Sequence, residues 1–226
     1  MFDSKERKEA RLHSSLPDTL SPGAYNAVML GLVLYGFVVN ALMVHFLAPA
    51  LADIDRSTCI VFLIGYFISC LAGTFLAASD RPACSFLGYN LIVPPIGVLL
   101  SITLPGYGAE LVMQAILLTG AIALVMLVLG TVFPQVFASM GRALGMALLV
   151  SCLLSLAAWF FAGIREILVW ITAILFTLYI GYDVQQAQRY PRTPDNAIDS
   201  AIDLYLDIIN LFLKILRILS RSRDRD

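Results

Sequence analysis

The pattern most able to do chemistry is a stripe of polar residues on one apolar segment, residues 197–219. Spacings of four, four, three, four and three residues separate its members, which are Asp199, Asp203, Asp207, Asn210, Lys214 and Arg217. On an α-helix these positions fall within an arc of about 80°, and the remaining faces are mostly apolar. A carboxylate in hydrocarbon is costly unless it is paired, protonated or hydrated. The stripe should therefore face a protein interior or an aqueous path.

A second aspartate, Asp183, lies near the end of the preceding apolar segment. A short polar turn with two prolines, residues 189–196, follows it, so the last two segments are predicted to form an antiparallel hairpin. At 1.5 Å per residue, Asp183 lies about 8 Å inside the end of its helix and Asp207 about 15 Å inside its own. We therefore expect the two carboxylates at similar depth, where they would share a proton and could bind calcium transiently.

Simpler roles compete for some of the acids. Asp183 can lie at a helix end in the headgroup region, where a lone carboxylate needs no partner. Asn196 is expected to cap the last helix, with Asp199 as an acid in its first turn. Asp203 can act in the same way or line an ion path. Asp207, close to mid-span, has only a buried ion pair as its simpler explanation.

The rest of the stripe has similar alternatives. Asn210 can line an ion path with Asp203 or hydrogen-bond a neighbouring helix. Lys214 and Arg217 are expected to extend to the far interface, because long basic side chains reach water along apolar surface. The two aspartates, Asp183 and Asp207, are therefore the main candidates for a chemical role.

Composition decides the environment in which these residues act. The chain has 226 residues, of which 59% are hydrophobic and 14% charged, with a mean hydropathy of +0.84. About a quarter of the residues of a soluble domain are charged, so an integral membrane protein is predicted. The net charge of −1 gives no reason to expect nucleic acid as a partner. The sequence shows no CxxC pair, metal-ligand cluster or nucleotide loop, and therefore predicts no tightly bound cofactor.

Seven apolar segments are long enough to cross a bilayer, which takes about 17–25 residues each. They run over 25–48, 58–79, 84–104, 109–133, 140–162, 167–187 and 197–219. We therefore predict one all-α domain over 23–220, a polytopic bundle of seven transmembrane helices. A polar and disordered tail is expected over 1–22, and a charged C-terminal tail over 221–226.

The basic residues leave the path of the last segment open. Four lysines and arginines in the first 11 residues favour a cytoplasmic start. Seven crossings would then place the arginine-rich C-terminal tail on the opposite side, against the same rule. Seven full spans are the favoured interpretation, and partial crossing by the last segment is the alternative.

The sequence around both aspartates resembles a known family. Residues 204–212 read Leu-Tyr-Leu-Asp-Ile-Ile-Asn-Leu-Phe, residues 216–219 read Leu-Arg-Ile-Leu, and residues 178–183 read Leu-Tyr-Ile-Gly-Tyr-Asp. These runs are similar to the signature of the Bax inhibitor-1 (transmembrane Bax inhibitor motif) family in its bacterial form. Seven spans over a chain of this length agree with it, so the resemblance covers essentially the whole sequence.

The resemblance implies a last helix wrapped by the other six, in the inner (cell) membrane of a bacterium. It implies a pH-sensitive calcium-permeable leak channel rather than an enzyme, with Asp183 and Asp207 as a di-aspartyl sensor. In bacterial relatives a basic residue after the second helix latches this pair closed. Here the one candidate is Arg81, beside Asp80. The expected partners are the lipid bilayer, calcium ions and a membrane protein.

Two other functions compete with the channel. The first is a non-conducting regulator that binds a membrane protease or another membrane partner; bacterial relatives of that kind tend to lack the aspartate pair. The second is an intramembrane aspartyl protease, which Tyr182-Asp183 would fit. Those proteases carry Gly-x-Gly-Asp at the second aspartate, whereas this chain has Tyr205-Leu206-Asp207, and their later Pro-Ala-Leu motif is missing.

Overall fold

The computed structural model describes Arg11, residues 20–158 and residues 162–223, without the side chains of residues 56, 162 and 163. The disordered tail predicted over 1–22 falls largely outside these ranges, as do the last three residues of the tail predicted over 221–226. Two observations bear on these predictions. Arg11 is buried, and residues 221–223 continue the last helix.

Besides a short 3-10 helix over Leu104–Tyr107, seven α-helices account for most of the described residues. They are α1 Pro22–Leu47, α2 Arg56–Ala77, α3 Pro82–Thr103, α4 Ala109–Val132, α5 Pro134–Ala157, α6 Ala162–Ala187 and α7 Pro194–Arg223. The all-helical prediction is confirmed, and each helix overlaps one predicted segment. The largest shift of a start is in α5, which begins at Pro134 rather than at residue 140, because proline fits the first turn of a helix.

Six of these helices, α1 to α6, are long and apolar enough to cross a membrane. Their apolar stretches have 21–26 residues, and the one that begins with α3 continues through the following 3-10 helix to Tyr107. The last helix has the length, with 30 residues. Its polar stripe gives it more charge than a span of this kind carries. The predicted spans are therefore supported for six helices of the described chain, and the seventh crossing stays a prediction.

The chain divides into two compact units. The first comprises Met1–Gly106 and Arg189–Ile202, and the second comprises Tyr107–Gln188 and Asp203–Asp226. Helix α7 thus contributes its first turns to the first unit and the remainder to the second.

In the first unit, α3 packs against both α1 and α2. The hydroxyl of the fully buried Tyr89 donates to the Leu32 carbonyl of α1 at 2.7 Å. The Ser69 hydroxyl of α2 donates to the Leu91 carbonyl of α3 at 2.7 Å. These bonds satisfy side-chain hydroxyls in surroundings that offer them little water, and they fix how the helices pair.

In the second unit, α6 packs against both α4 and α5. Gly130 of α4 faces Gly181 of α6 so closely that a Cβ on Gly130 would lie 2.5 Å from the Gly181 carbonyl oxygen. A Cβ on Gly141 of α5 would lie 2.6 Å from the hydroxyl oxygen of Tyr182. Small residues let membrane helices approach in this way. The tight packing falls at the two residues that precede Asp183.

Among the residues that the structure describes, the exposed large apolar side chains all lie before residue 175. Within its described residues α7 contributes none of them, and its Leu204, Tyr205 and Leu211 are almost completely buried. Apolar surface of this extent needs a lipid environment, which agrees with an integral membrane protein. The central position expected for the last helix stays a prediction.

Asp55 caps α2 from the loop before it. Its carboxylate accepts the backbone N–H groups of Ser57 at 3.0 Å and Thr58 at 3.2 Å, and both hydroxyls also donate to it. These hydrogen bonds hold the pKa of Asp55 below its usual range, and the bond from the Ser57 hydroxyl has the largest effect. Asp55 thus supplies acceptors for backbone groups that the helix itself leaves unpaired.

Asp55→Ala is expected to fray the start of α2, and hydrogen exchange at the Ser57 and Thr58 amides should become faster. Because the folded pKa of Asp55 lies below its unfolded value, the cap is fully effective above the ordinary carboxyl range. It is lost as the pH falls through the lowered folded value. Asp53→Ala is the control, since Asp53 is exposed in the same loop. Equal exchange in both variants would contradict the capping role.

Candidate functional site

Asp183 lies on α6 one turn before the helix ends at Ala187. The helix continues through Gly181 and Tyr182 without interruption, and Asp183 itself is half-buried. The two residues before it, Gly181 and Tyr182, pack closely against α4 and α5.

Asp207 lies within α7 and is buried, with 8% of its surface exposed. The apolar residues around it on the same helix, Leu204, Tyr205 and Leu211, are buried almost completely. A carboxyl in such surroundings is stable only if it is paired, hydrogen-bonded or protonated.

The structure brings Asp183 and Asp207 together within the second unit. Their carboxyl groups share a hydrogen bond. One of the two must carry the proton of that bond, because ionised carboxylates only accept. Asp207 Oδ2 is buried and has no hydrogen-bond partner among the described residues. The pair therefore holds a proton between two acids and still presents an oxygen that could accept a further ligand.

Two more groups surround this pair. Asp203, one turn earlier on α7, is half-buried and lies near enough to Asp207 for the two side chains to interact electrostatically. Tyr179, one turn before Asp183 on α6, lies within the same range of both paired carboxyl groups. Its ring meets the Tyr182 ring nearly at right angles, with centroids 6.3 Å apart. We call Asp183, Asp203, Asp207 and Tyr179 the acidic site.

The family of this chain is shown by a match over nearly its whole length. Residues 20–224 match the family described as Inhibitor of apoptosis-promoting Bax1. The chain belongs to this family. The resemblance seen in the two aspartate-containing runs is thereby confirmed, and the acidic site is a site of a Bax inhibitor family protein.

Relatives of this Bax inhibitor family chain occur in bacteria, yeast and a virus. An "Uncharacterized protein" of Helicobacter pylori is 29% identical over 204 residues, which are 85% of this chain and 86% of that protein. "Bax inhibitor 1" of Saccharomyces cerevisiae is 53% identical over 55 residues, or 24% of this chain and 18% of that protein. "Golgi anti-apoptotic protein" of vaccinia virus is 31% identical over 121 residues, or 53% and 51% of the two chains.

Three other candidate residues on α7 of this family member, Asn210, Lys214 and Arg217, lie outside the acidic site. Asn210 is half-buried, and its side-chain amide donates to the Leu206 carbonyl of the same helix at 2.7 Å. Lys214 is half-buried and Arg217 is exposed. The roles of Asp203 and Asn210 in lining an ion path stay predictions.

Arg81, the candidate latch, belongs to the first unit and is exposed. It precedes the first residue of α3, Pro82, and its carbonyl accepts the backbone N–H groups of Cys84 at 2.8 Å and Ser85 at 3.1 Å. These bonds give Arg81 a structural role in the start of α3. Its role as a latch on the aspartate pair stays a prediction.

The acidic site does not form a metal-binding cluster. Across the described ranges, no group of three or more histidine, cysteine, aspartate or glutamate side chains is arranged to hold a metal ion. Calcium usually takes six to eight oxygen ligands, far more than two paired carboxyls supply. The transient contact of calcium with Asp183 and Asp207 stays a prediction.

The start of α7 differs from its prediction. Its hydroxyl cap is Thr193, which accepts the backbone N–H of Asn196 at 3.1 Å and is followed by Pro194 in the first turn. The prediction that Asn196 caps the helix was therefore wrong. Asp199 lies beyond the first turn, is 2% exposed and forms an ion pair, so the role predicted for it was also wrong.

Two buried polar contacts of the first unit were not predicted from the sequence. Ser85 of α3 donates to Asp195 Oδ1 at 2.6 Å, and Arg11 pairs with Asp199 at 3.7 Å. The partners are 110 and 188 residues apart, so no helical period links them. The one available signal was the excess of polar residues in the first turns of α7, which an apolar packing interface would not contain.

Proposed function

We propose that this chain is a pH-sensitive calcium-permeable leak channel, with Asp183 and Asp207 as sensor and ion-path element. The observation that carries the proposal is the buried Asp207 carboxyl, which is bonded to Asp183 through one oxygen and has no hydrogen-bond partner at the other. Passage along α7, a seventh crossing of the membrane by that helix and a bacterial inner membrane location belong to the same proposal.

The mechanism follows from the proton that the pair holds. With the proton bound, the two carboxyls attract each other through a hydrogen bond and carry one negative charge less. With the proton lost, two carboxylates in a poorly hydrated space repel each other and attract a cation. Calcium would replace part of its water shell with their oxygens, and Asp203 would extend the negative path. Acidification is therefore expected to close the leak.

Calcium is the cargo in this proposal, and no tightly bound cofactor is required. The acidic site offers too few ligands to retain the ion, and weak binding is what conduction requires. Arg81 would act as the basic latch of the closed state. In the proposed mechanism the aspartate pair only gains and loses a proton and no substrate is converted, so the proposed function is transport rather than catalysis.

Calcium flux into proteoliposomes that contain the purified chain tests the proposal. Uptake of the parent protein should fall on acidification by up to about tenfold per pH unit, the limit for one titrating proton. Asp207→Asn removes the titrating carboxyl, so its flux should be low at every pH. Asp53→Asn is the matched control, since Asp53 is exposed in the loop before α2. An Asp207→Asn variant that leaks like the parent, with the same pH response, excludes the sensor.

The names of two relatives favour a second candidate function, because one is called an inhibitor, "Bax inhibitor 1", and the other is called anti-apoptotic, "Golgi anti-apoptotic protein". A non-conducting regulator would bind a membrane protease or another membrane protein. It would show no calcium flux at any pH and would retain its partner after mild detergent extraction. Cleavage of a model membrane peptide, lost in Asp183→Asn, would instead indicate an intramembrane aspartyl protease.

A further inference from the structure

The first unit buries a guanidinium group. Arg11 is 8% exposed, and its side chain lies against the first turns of α7. Arginine is almost never buried without partners, because removing its charge from water is costly. The residues that receive it should therefore form a matched site.

Four contacts surround the edge of the guanidinium. Its Nη2 donates to Ser200 Oγ at 2.8 Å and to the Asn196 carbonyl at 3.3 Å. Its Nε donates to Asn196 Oδ1 at 3.4 Å and lies 3.7 Å from Asp199 Oδ2. Asp199 is 2% exposed, so both members of this ion pair are buried. The acceptors are all oxygens and include one carboxylate, a set suited to a cation with several N–H donors.

Two tyrosines complete the site. The Arg11 guanidinium carbon lies 4.0 Å above the centre of the Tyr190 ring, which places the flat face of the cation on an aromatic face. The Tyr25 hydroxyl donates to the Asn196 carbonyl at 3.2 Å and lies 3.1 Å from Ser200 Oγ, so it holds two of the acceptors in position. Tyr25 and Tyr190 are both buried.

We propose that Asn196, Asp199, Ser200, Tyr25 and Tyr190 form a guanidinium-binding pocket, which Arg11 fills from within the chain. The pocket selects a planar cation, because it offers oxygens at the edge and an aromatic ring at the face. A lysine ammonium could satisfy the charge of Asp199 but not both of these features. Occupancy neutralises a buried carboxylate on α7 and so stabilises the start of that helix. All the residues belong to the first unit, and the pocket does not depend on the proposed channel.

Chemical rescue tests the pocket on the full chain in detergent. Arg11→Ala leaves Asp199 buried without its cation, and the melting temperature should fall by at least about 5 °C. Guanidinium chloride at about 10 mM, far below the molar range in which it unfolds proteins, should recover at least half of the loss. Methylammonium chloride at the same concentration should not. Arg189→Ala removes an exposed arginine next to Tyr190 and should melt like the parent with either salt.

A second variant covers the case in which Arg11→Ala gives no folded protein. Arg11→Ala combined with Asp199→Asn removes the cation and the buried charge together. The double variant should fold, melt above Arg11→Ala and gain nothing from guanidinium. The proposal is overturned if Arg11→Ala melts like Arg189→Ala, or if both salts rescue Arg11→Ala equally. It is also overturned if adding Asp199→Asn to Arg11→Ala restores neither folding nor stability. None of these readouts depends on ion flux, so they stand apart from the test of the channel.

Discussion

Gly130→Ala is expected to lower the free energy of unfolding of the second unit by about 2–3 kcal/mol, the upper part of the range for overpacking. The added Cβ would lie 2.5 Å from the Gly181 carbonyl oxygen and 3.2 Å from its carbonyl carbon and Cα. All three are backbone atoms of α6, so no side-chain rotation can relieve the contact. The two helices would have to separate, and Asp183 would move with α6, because it follows Gly181 by only two residues.

Gly120→Ala is the matched control for this prediction. It places the same methyl group on the same helix, where nothing lies within 4 Å of the new Cβ. Alanine is the better helix former by about 1 kcal/mol, so this variant should be neutral or slightly more stable. Unfolding in mixed detergent micelles measures both. If Gly130→Ala is as stable as Gly120→Ala, α4 and α6 do not approach as the structure shows.

Ser85→Ala is expected to cost about 1–3 kcal/mol of stability in the first unit. The hydroxyl of Ser85 donates to Asp195 Oδ1 at 2.6 Å, and the two residues are 0% and 7% exposed. Alanine removes the donor and leaves the acceptor buried. A carboxylate that loses a hydrogen bond in such a position costs more than a neutral group, because its charge cannot be solvated there.

The same exchange at Ser139 separates the hydrogen bond from the loss of a hydroxyl. Ser139 is exposed, and its hydroxyl donates only within its own helix, to the Val136 carbonyl at 2.7 Å. Ser139→Ala should therefore leave the unfolding midpoint almost unchanged. Unfolding midpoints in the same detergent give the comparison. A midpoint for Ser85→Ala within error of that for Ser139→Ala would show that the Asp195 contact is not stabilising.

The helices could be predicted because hydrophobic periodicity and helix length are local properties. Asp183 and Asp207 could be related for a similar reason, since a short turn between two long helices constrains their relative depth. The contacts of Arg11 with Asp199 and of Ser85 with Asp195 could not. They join residues far apart in sequence, and each partner taken alone resembles an ordinary polar residue of a terminal tail or a helix end.

The glycine packing was only partly predictable. Small residues in apolar helices suggest close packing, and Gly130 and Gly141 have it. Gly120 and Gly145 resemble them in sequence, yet nothing lies within 4 Å of a Cβ at either position. The difference depends on which side of a helix its neighbour occupies. That is a property of tertiary structure, and a single sequence does not contain it.

The lengths of the six candidate spans have a consequence for the membrane that accepts them. Stretches of 24–26 residues, found in α1, α4, α5 and α6, measure about 36–39 Å along the helix axis, against about 30 Å of hydrocarbon in a typical bilayer. Those helices must tilt or extend into the headgroup layer. Helices α2 and α3, with 22 residues each, measure about 33 Å and match the bilayer more closely. Lipid chain length is therefore a mechanical variable for this protein, because thicker or thinner bilayers would load α2 and α3 differently from the other four candidate spans.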